Sequence, residues 1–222
     1  MTKQERVQGP LPLAEVQEAK PPGGIGPRSG PMGSAPDGES RLLVLGIGNI
    51  LWGDEGFGVR AVEAFHAAYA PLPGVTVMDG GTQGLYLVHH VEAADDLLVF
   101  DAIDYGLPPG TLRVVHDDEV PKFTGTKKMS LHQTGFQEVL SAADLLGRSP
   151  RRLALVGCQP LDLEAWGGGL TGPVRAAIAP ALEAAAVILA GWGVRLSPRR
   201  TSAAGLLGND IDFRAYERRD VA

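Results

Sequence analysis

The chain has 222 residues, 44% of them hydrophobic and 21% charged, with a formal net charge of −6. That is the composition of a globular protein long enough to bury a core, and the acidic balance argues against a nucleic-acid partner. The single cysteine, Cys158, excludes an intramolecular disulfide and lies in an apolar run, where it reads as a small core residue. No run of 18 apolar residues suggests a membrane span or insertion, and no secretory signal opens the chain; a cytoplasmic location is the expectation.

The first forty residues contain seven Pro and seven Gly and no aromatic residue. They are expected to form a disordered extension, residues 1–40; a start at Met32 is the alternative reading. From Arg41, apolar strands alternate with helical patterns. "RLLVLG" reads as a buried strand, "GFGVRAVEAFHAAYA" as a helix and "VTVMDGG" as a second strand. A helical stretch from Gln83 to about Glu92 leads to the continuous apolar strand "DDLLVFDAID". "GTLRVVHDDEV" alternates like a half-exposed strand. "SLHQTGFQEVLSAADLLG" reads as a helix, "RRLALVGCQP" as a central strand and "GPVRAAIAPALEAAAVILAGWG" as a long closing helix. The pattern predicts one α/β domain over 41–195, a twisted, mostly parallel sheet with helices on both faces. Residues 196–222, with five arginines from Arg199 to Arg219, are expected to form a loosely ordered tail.

The first strand runs into "GIGNILWGDEGFG". Gly46 and Gly48 start a G-x-G, but Leu51 stands where a dinucleotide fingerprint needs its third glycine. No Lys-Ser or Lys-Thr completes a Walker loop. The adjacent acids Asp54 and Glu55 would also repel a phosphate. Acids recur at the ends of the next strands: Asp79 in "VMDGG" and Asp101 in "LLVFDAID", with Asp104 close behind. Ligands of open α/β sheets bind beyond the carboxyl ends of the strands, so these carboxylates are expected to gather at one edge.

Asp101 follows four apolar residues and should be desolvated. It could equally accept backbone N–H groups from the next loop, and Asp79 could equally form its own glycine turn. Asp54 and Asp104 look like solvated or capping acids. Two carboxylates about 5 Å apart repel by roughly 3 kcal/mol at an effective dielectric near 20, roughly two pKa units. A shared proton or a cation can relieve that.

Ser130 and Gln133 form a capping box that places His132 in the first turn of a helix, where the dipole disfavours imidazolium. His66, His89, His90 and His116 read as structural. Glu55, Asp101 and His132 together offer two oxygens and one nitrogen, a set suited to Zn²⁺, Ni²⁺ or Fe²⁺ with positions left open.

Four segments, "LGIGNILWGDEGFGVR", "DGGTQGLYL", "LLVFDAIDYGLPPGTLR" and "KKMSLHQTGFQEVL", resemble the [NiFe]-hydrogenase maturation endopeptidases, most of all the branch serving membrane-bound uptake hydrogenases. The likeness covers about residues 41–195. It implies removal of a C-terminal extension from the hydrogenase large-subunit precursor after nickel insertion, with Glu55, Asp101 and His132 contacting nickel supplied by that substrate. Another divalent metal is an alternative. The loop glycines would let the folded partner approach Glu55. Hydrolysis would run either with metal polarising the carbonyl or through an acid pair, Asp101 with Glu55 or Asp79, acting as an aspartic protease. The loop "WGGGLTGP", Trp166 to Pro173, is expected either to flex around a peptide tail or to serve as a plain helix entry. Two competing classes are a peptidyl-tRNA hydrolase, which shares a G-x-G-N turn, and a non-catalytic nickel-sensing partner.

Overall fold

The computed structural model describes residues 16–18, 40–120, 131–167, 169–202 and 205–206. Six strands form one sheet: β1 (Val16–Glu18), β2 (Leu42–Ile47), β3 (Val75–Gly81), β4 (Asp96–Ala102), β5 (Leu112–His116) and β6 (Arg152–Cys158), in the spatial order β1-β5-β6-β4-β2-β3. β3, β2, β4 and β6 are mutually parallel, as the alternating pattern predicts. β5 lies antiparallel to β6, and β1 pairs with β5 in parallel. The β4–β5 link, residues 103–111, holds no helix and is too short for a crossover, so β5 returns in the opposite direction. A three-residue strand therefore lies within the Pro/Gly-rich segment.

The continuous apolar runs are the strands buried on both faces. Along β4, Leu98, Phe100 and Ala102 join one core, and Leu97, Val99 and Ile103 the other. Helices α1 (Phe57–Ala68), α4 (Gly172–Ala176) and α5 (Ile178–Gly191) cover the first face. Helices α2 (Val88–Ala93) and α3 (Leu131–Leu145) cover the second. Each fully buried Phe or Leu contributes about 1.5–3 kcal/mol of transfer free energy.

The expected closing helix breaks at Ala177. Pro180 has no N–H to donate, and its ring crowds the carbonyl of Ala176. By length and composition Gly172–Gly191 could span a membrane, with a mean hydropathy of 1.6. Here Val174, Ala181, Ala185, Ile188 and Leu189 spend that apolar surface in the core. The chain also stays attached past residue 195. Ala70 N–H donates to the Ser197 carbonyl, Arg199 N–H to that of Ala68, and the Arg199 Nε to that of His66 at 3.0 Å.

The amino edge of the sheet is closed by ion pairs. Asp96 opens β4 and is 1% exposed; Arg152 donates to it through Nε at 2.7 Å and Nη2 at 2.5 Å. Ser40 Oγ donates to the same carboxylate, and the Arg152 guanidinium lies 5.2 Å from the centre of the Trp192 ring. That carboxylate holds the Arg152 proton more firmly than usual.

Candidate active site

The loops leaving β2, β3, β4 and β6 meet at the carboxyl edge. After β2 the chain turns through Gly48, at φ 141°, into a 3-10 turn, Gly53–Gly56, and then α1. A Cβ on Gly48 would strike the Glu55 carbonyl. One on Gly46 would strike the Gly58 carbonyl, and one on Gly58 the Ile47 and Phe100 carbonyls. The loop glycines thus let this chain pack on itself.

Within the turn the two acids have opposite roles. Asp54 is fully buried, so of the two expected roles, solvated or capping acid, it has the capping one. Its Oδ2 accepts the N–H groups of Leu161 and Asp162 at 2.8 and 3.0 Å and the Thr171 hydroxyl at 2.9 Å, while Oδ1 accepts the Thr171 N–H at 2.8 Å. This single carboxylate sews the loop after β6 to the loop after β2. A bridge between Trp52 and Trp166 and the bond from Gly167 N–H to the Leu51 carbonyl complete the seam. "WGGGLTGP" is consequently tied near both ends and leads into α4, in line with the helix-entry reading. Glu55 is half-buried, its N–H bonded to the Trp52 carbonyl at 2.9 Å, which fixes the start of its side chain at the carboxyl edge of the sheet.

Asp101 lies in β4 with 1% exposure and both carboxylate oxygens buried. Its register partner in β6 is Gly157, whose partner in β5 is Arg113. These three positions face the same side of the sheet. The space a side chain on Gly157 would need is filled by the Tyr105 hydroxyl. Burial, followed by the negative charge of Asp101, pushes the Tyr105 phenol well above its usual range. The Arg113 guanidinium lies 5.5 Å from the centre of the Tyr105 ring. Tyr105 is anchored by Gln159, whose Oε1 accepts the N–H groups of Tyr105 at 2.7 Å and Leu107 at 3.1 Å. The Gln159 amide nitrogen donates to Asp104 Oδ1, and Asp104 also accepts the Gly106 N–H, the capping role expected of it. Sequence reasoning passed over Tyr105 and Gln159. A buried polar residue directly after the central strand was the one signal for Gln159.

Asp79 goes elsewhere. It registers with Gly46, which faces α1, and its electrostatic neighbours Glu63 and Arg60 belong to α1. Its Oδ1 accepts the Gly81 N–H at 2.8 Å, closing the glycine turn. Burial raises its carboxyl above the ordinary value, against that hydrogen bond. Asp101 lies on the α2–α3 face, so the sheet separates the two acids, and the expected Asp101–Asp79 pair is not assembled.

His132 belongs to the first turn of α3. Three residues on, Gly135 lies so close to Gly84 that an added Cβ would sit 3.3 Å from the Gly84 Cα. That brings the start of α3 to the loop after β3, at the same edge. Ser130 and the side chains of His132 and Gln133 lie outside the described residues, as does the capping box. Among the described residues no three His, Cys, Asp or Glu side chains gather as a metal site. Cys158 is fully buried, its thiol pushed far up by burial and then by the charge of Asp54, which makes it a core residue.

A family model described as hydrogenase maturation protease matches residues 59–188. The chain belongs to that family. It is 66% identical over 191 residues to the hydrogenase expression/formation protein HupD of Rhizobium leguminosarum bv. viciae, covering 85% of this chain and 94% of that one. Hydrogenase expression/formation protein HoxM of Cupriavidus necator is 58% identical over 158 residues, 71% of this chain and 78% of its own. Among solved structures, the hydrogenase maturating endopeptidase HybD of Escherichia coli superposes with a TM-score of 0.68 at 44% identity, over 72% of this chain and 98% of that one. HybD thus shares the fold described above, and the family match begins just after the Asp54–Glu55 turn.

Proposed function

We propose that this maturation protease cleaves the C-terminal extension from a [NiFe]-hydrogenase large-subunit precursor after nickel has been inserted, working in the cytoplasm on a protein rather than a nucleic-acid substrate. The observation that carries the reading is Asp101: a desolvated carboxylate at the end of a central strand, at the same edge of the sheet as the turn bearing Glu55. A carboxylate at the end of a central strand is a suitable oxygen donor to a cation arriving with the substrate. Glu55, Asp101 and His132 would contact the substrate's nickel, two oxygens and an imidazole being suitable donors for it.

Hydrolysis needs a water aimed at the scissile carbonyl and a base to take its proton. Either Glu55 or Asp101 can serve, as carboxylates at the crevice; Asp79, on the α1 face, shapes its own turn instead. Nickel, when present, supplies polarisation of the carbonyl. Alternatively Asp101 and Glu55 share a proton and work without it. A precursor lacking nickel, incubated in chelator, separates the two: cleavage there rules out obligatory metal chemistry.

The reading itself is tested by intact mass of a nickel-loaded precursor incubated with the protein. Loss of one C-terminal peptide is expected with wild type, and none with Glu55→Gln, Asp101→Asn or His132→Ala. A precursor bound but unchanged in mass would replace the endopeptidase with a nickel-sensing partner. Normal cleavage by all three variants would keep the activity and discard the site.

A further inference from the structure

The seam made by Asp54 leaves an apolar crest on the surface. Trp166 is 62% exposed, Leu161 58% and Leu51 39%. Large apolar side chains standing this far out usually belong to movable loops, yet here each sits on fixed backbone. The Leu161 N–H is held by Asp54 Oδ2 at 2.8 Å. Leu51 donates its N–H to Asn49 Oδ1 and accepts from Gly167. Trp166 is bridged to Trp52, and their rings meet edge-on with centroids 5.0 Å apart and planes at 78°. The crest is also contiguous with the crevice, because Leu51 and Trp52 lead directly into the turn that carries Glu55.

We infer that Leu51, Leu161 and Trp166 form a docking surface for the folded body of the large-subunit precursor, separate from the crevice that takes its C-terminal extension. The inference rests on the proposed function for the identity of the partner. Three features select this occupant. The substrate must lie against this edge to bring a peptide bond to Glu55 and Asp101, so whatever enters the crevice also covers the crest. The exposed side chains project outward and suit an apolar patch on a folded surface. Anchors that are rigid before binding lose little conformational freedom on burial, which favours affinity. Leu145, 88% exposed at the far end of α3, is equally apolar but lies toward the amino edge of the sheet, where β6 begins. It is assigned no part in docking.

The test measures the Kd for nickel-loaded precursor and, separately, KM and kcat from intact-mass time courses. The variants are Trp166→Ser, Leu161→Ser, Trp166→Phe and Leu145→Ser, each checked for an unchanged thermal melt. Trp166→Ser is expected to weaken Kd and raise KM by roughly tenfold, as central aromatic anchors do, with kcat within about twofold of wild type. Trp166→Phe should recover most of the loss, and Leu145→Ser should match wild type. Should Trp166→Ser fail to fold, Leu161→Ser carries the test with the same expected direction. Wild-type Kd and KM in both folded serine variants would overturn the inference, as would a fall in kcat at constant KM. Trp166-dependent binding of a precursor that is never cleaved would retain the docking surface and sink the endopeptidase. A precursor that neither binds nor is cleaved would remove both.

Discussion

Asp96 and Asp101 lie five residues apart on β4, and both are 1% exposed. At the amino edge the neighbouring strand places Arg152 opposite Asp96, and a two-pronged guanidinium neutralises it. At the carboxyl edge the same strand places Gly157 opposite Asp101, and the vacated space admits the Tyr105 hydroxyl. One carboxylate is neutralised by a neighbouring guanidinium; the other is held beside an aromatic hydroxyl. Two equally buried acids on one strand thus have different surroundings, and burial alone does not distinguish them.

The sharpest way to break this comparison is to neutralise each acid in turn. Asp101→Asn should lower the rate of precursor cleavage by roughly a thousandfold, the scale of a lost general base, with the melting temperature near that of wild type. A variant that stays active would remove Asp101 from the chemistry. Asp54→Ala, at the same edge, should instead cost about 3 kcal/mol of stability, because three backbone N–H groups lose their acceptor; urea unfolding measures it. A loss under 1 kcal/mol would mean the seam is not what orders the loop after β6.

Asp96→Asn should cost about 2–3 kcal/mol in the same assay. That is below the figure for a fully buried pair, because the Arg152 side chain is 36% exposed and can rehydrate. Its kcat in the folded fraction should be unchanged, and a tenfold fall would blur the division between the two ends of β4.

The smallest effect concerns Asp79. Its carboxyl titrates above the ordinary 3.8, so the native state takes up this proton before the unfolded chain does. This group's contribution favours the native state most below pH 3.8 and weakens as pH rises through the raised value. Asn cannot ionise, so Asp79→Asn should gain stability relative to wild type as the pH rises from 3.8 toward neutrality. A difference that shrinks with rising pH would contradict the burial of that carboxyl.

What the sequence disclosed, and what it withheld, follows the distance over which each feature is decided. Continuous apolar runs such as "LLVLGI" and "RLALVGC" can only be strands covered on both faces, so the parallel core was legible from local pattern. So were the helix bearing His132 and the acids near the ends of β3 and β4. The faces were not legible. Asp79 and Asp101 read alike as acids at strand ends, but strand register, a non-local property, sends one to α1 and the other to the α2–α3 side. Asp54 and Glu55 likewise look interchangeable until loops more than a hundred residues away claim one of them. The direction of β5 is decided by a short link and the break at Ala177 by Pro180, single local features that the periodicity of the flanking residues does not register.

The separation of those loops bears on how the enzyme comes into being on the ribosome. Asp54 accepts from residues 107, 108 and 117 positions further along the chain. While the earlier strands are emerging, the carboxylate has no mate, and the turn that carries Glu55 lacks its buttress. Residue 171 must leave the exit tunnel before the edge can close. Translation thus withholds the competent edge until most of the chain is out, a delay that an incomplete nascent protein cannot bypass.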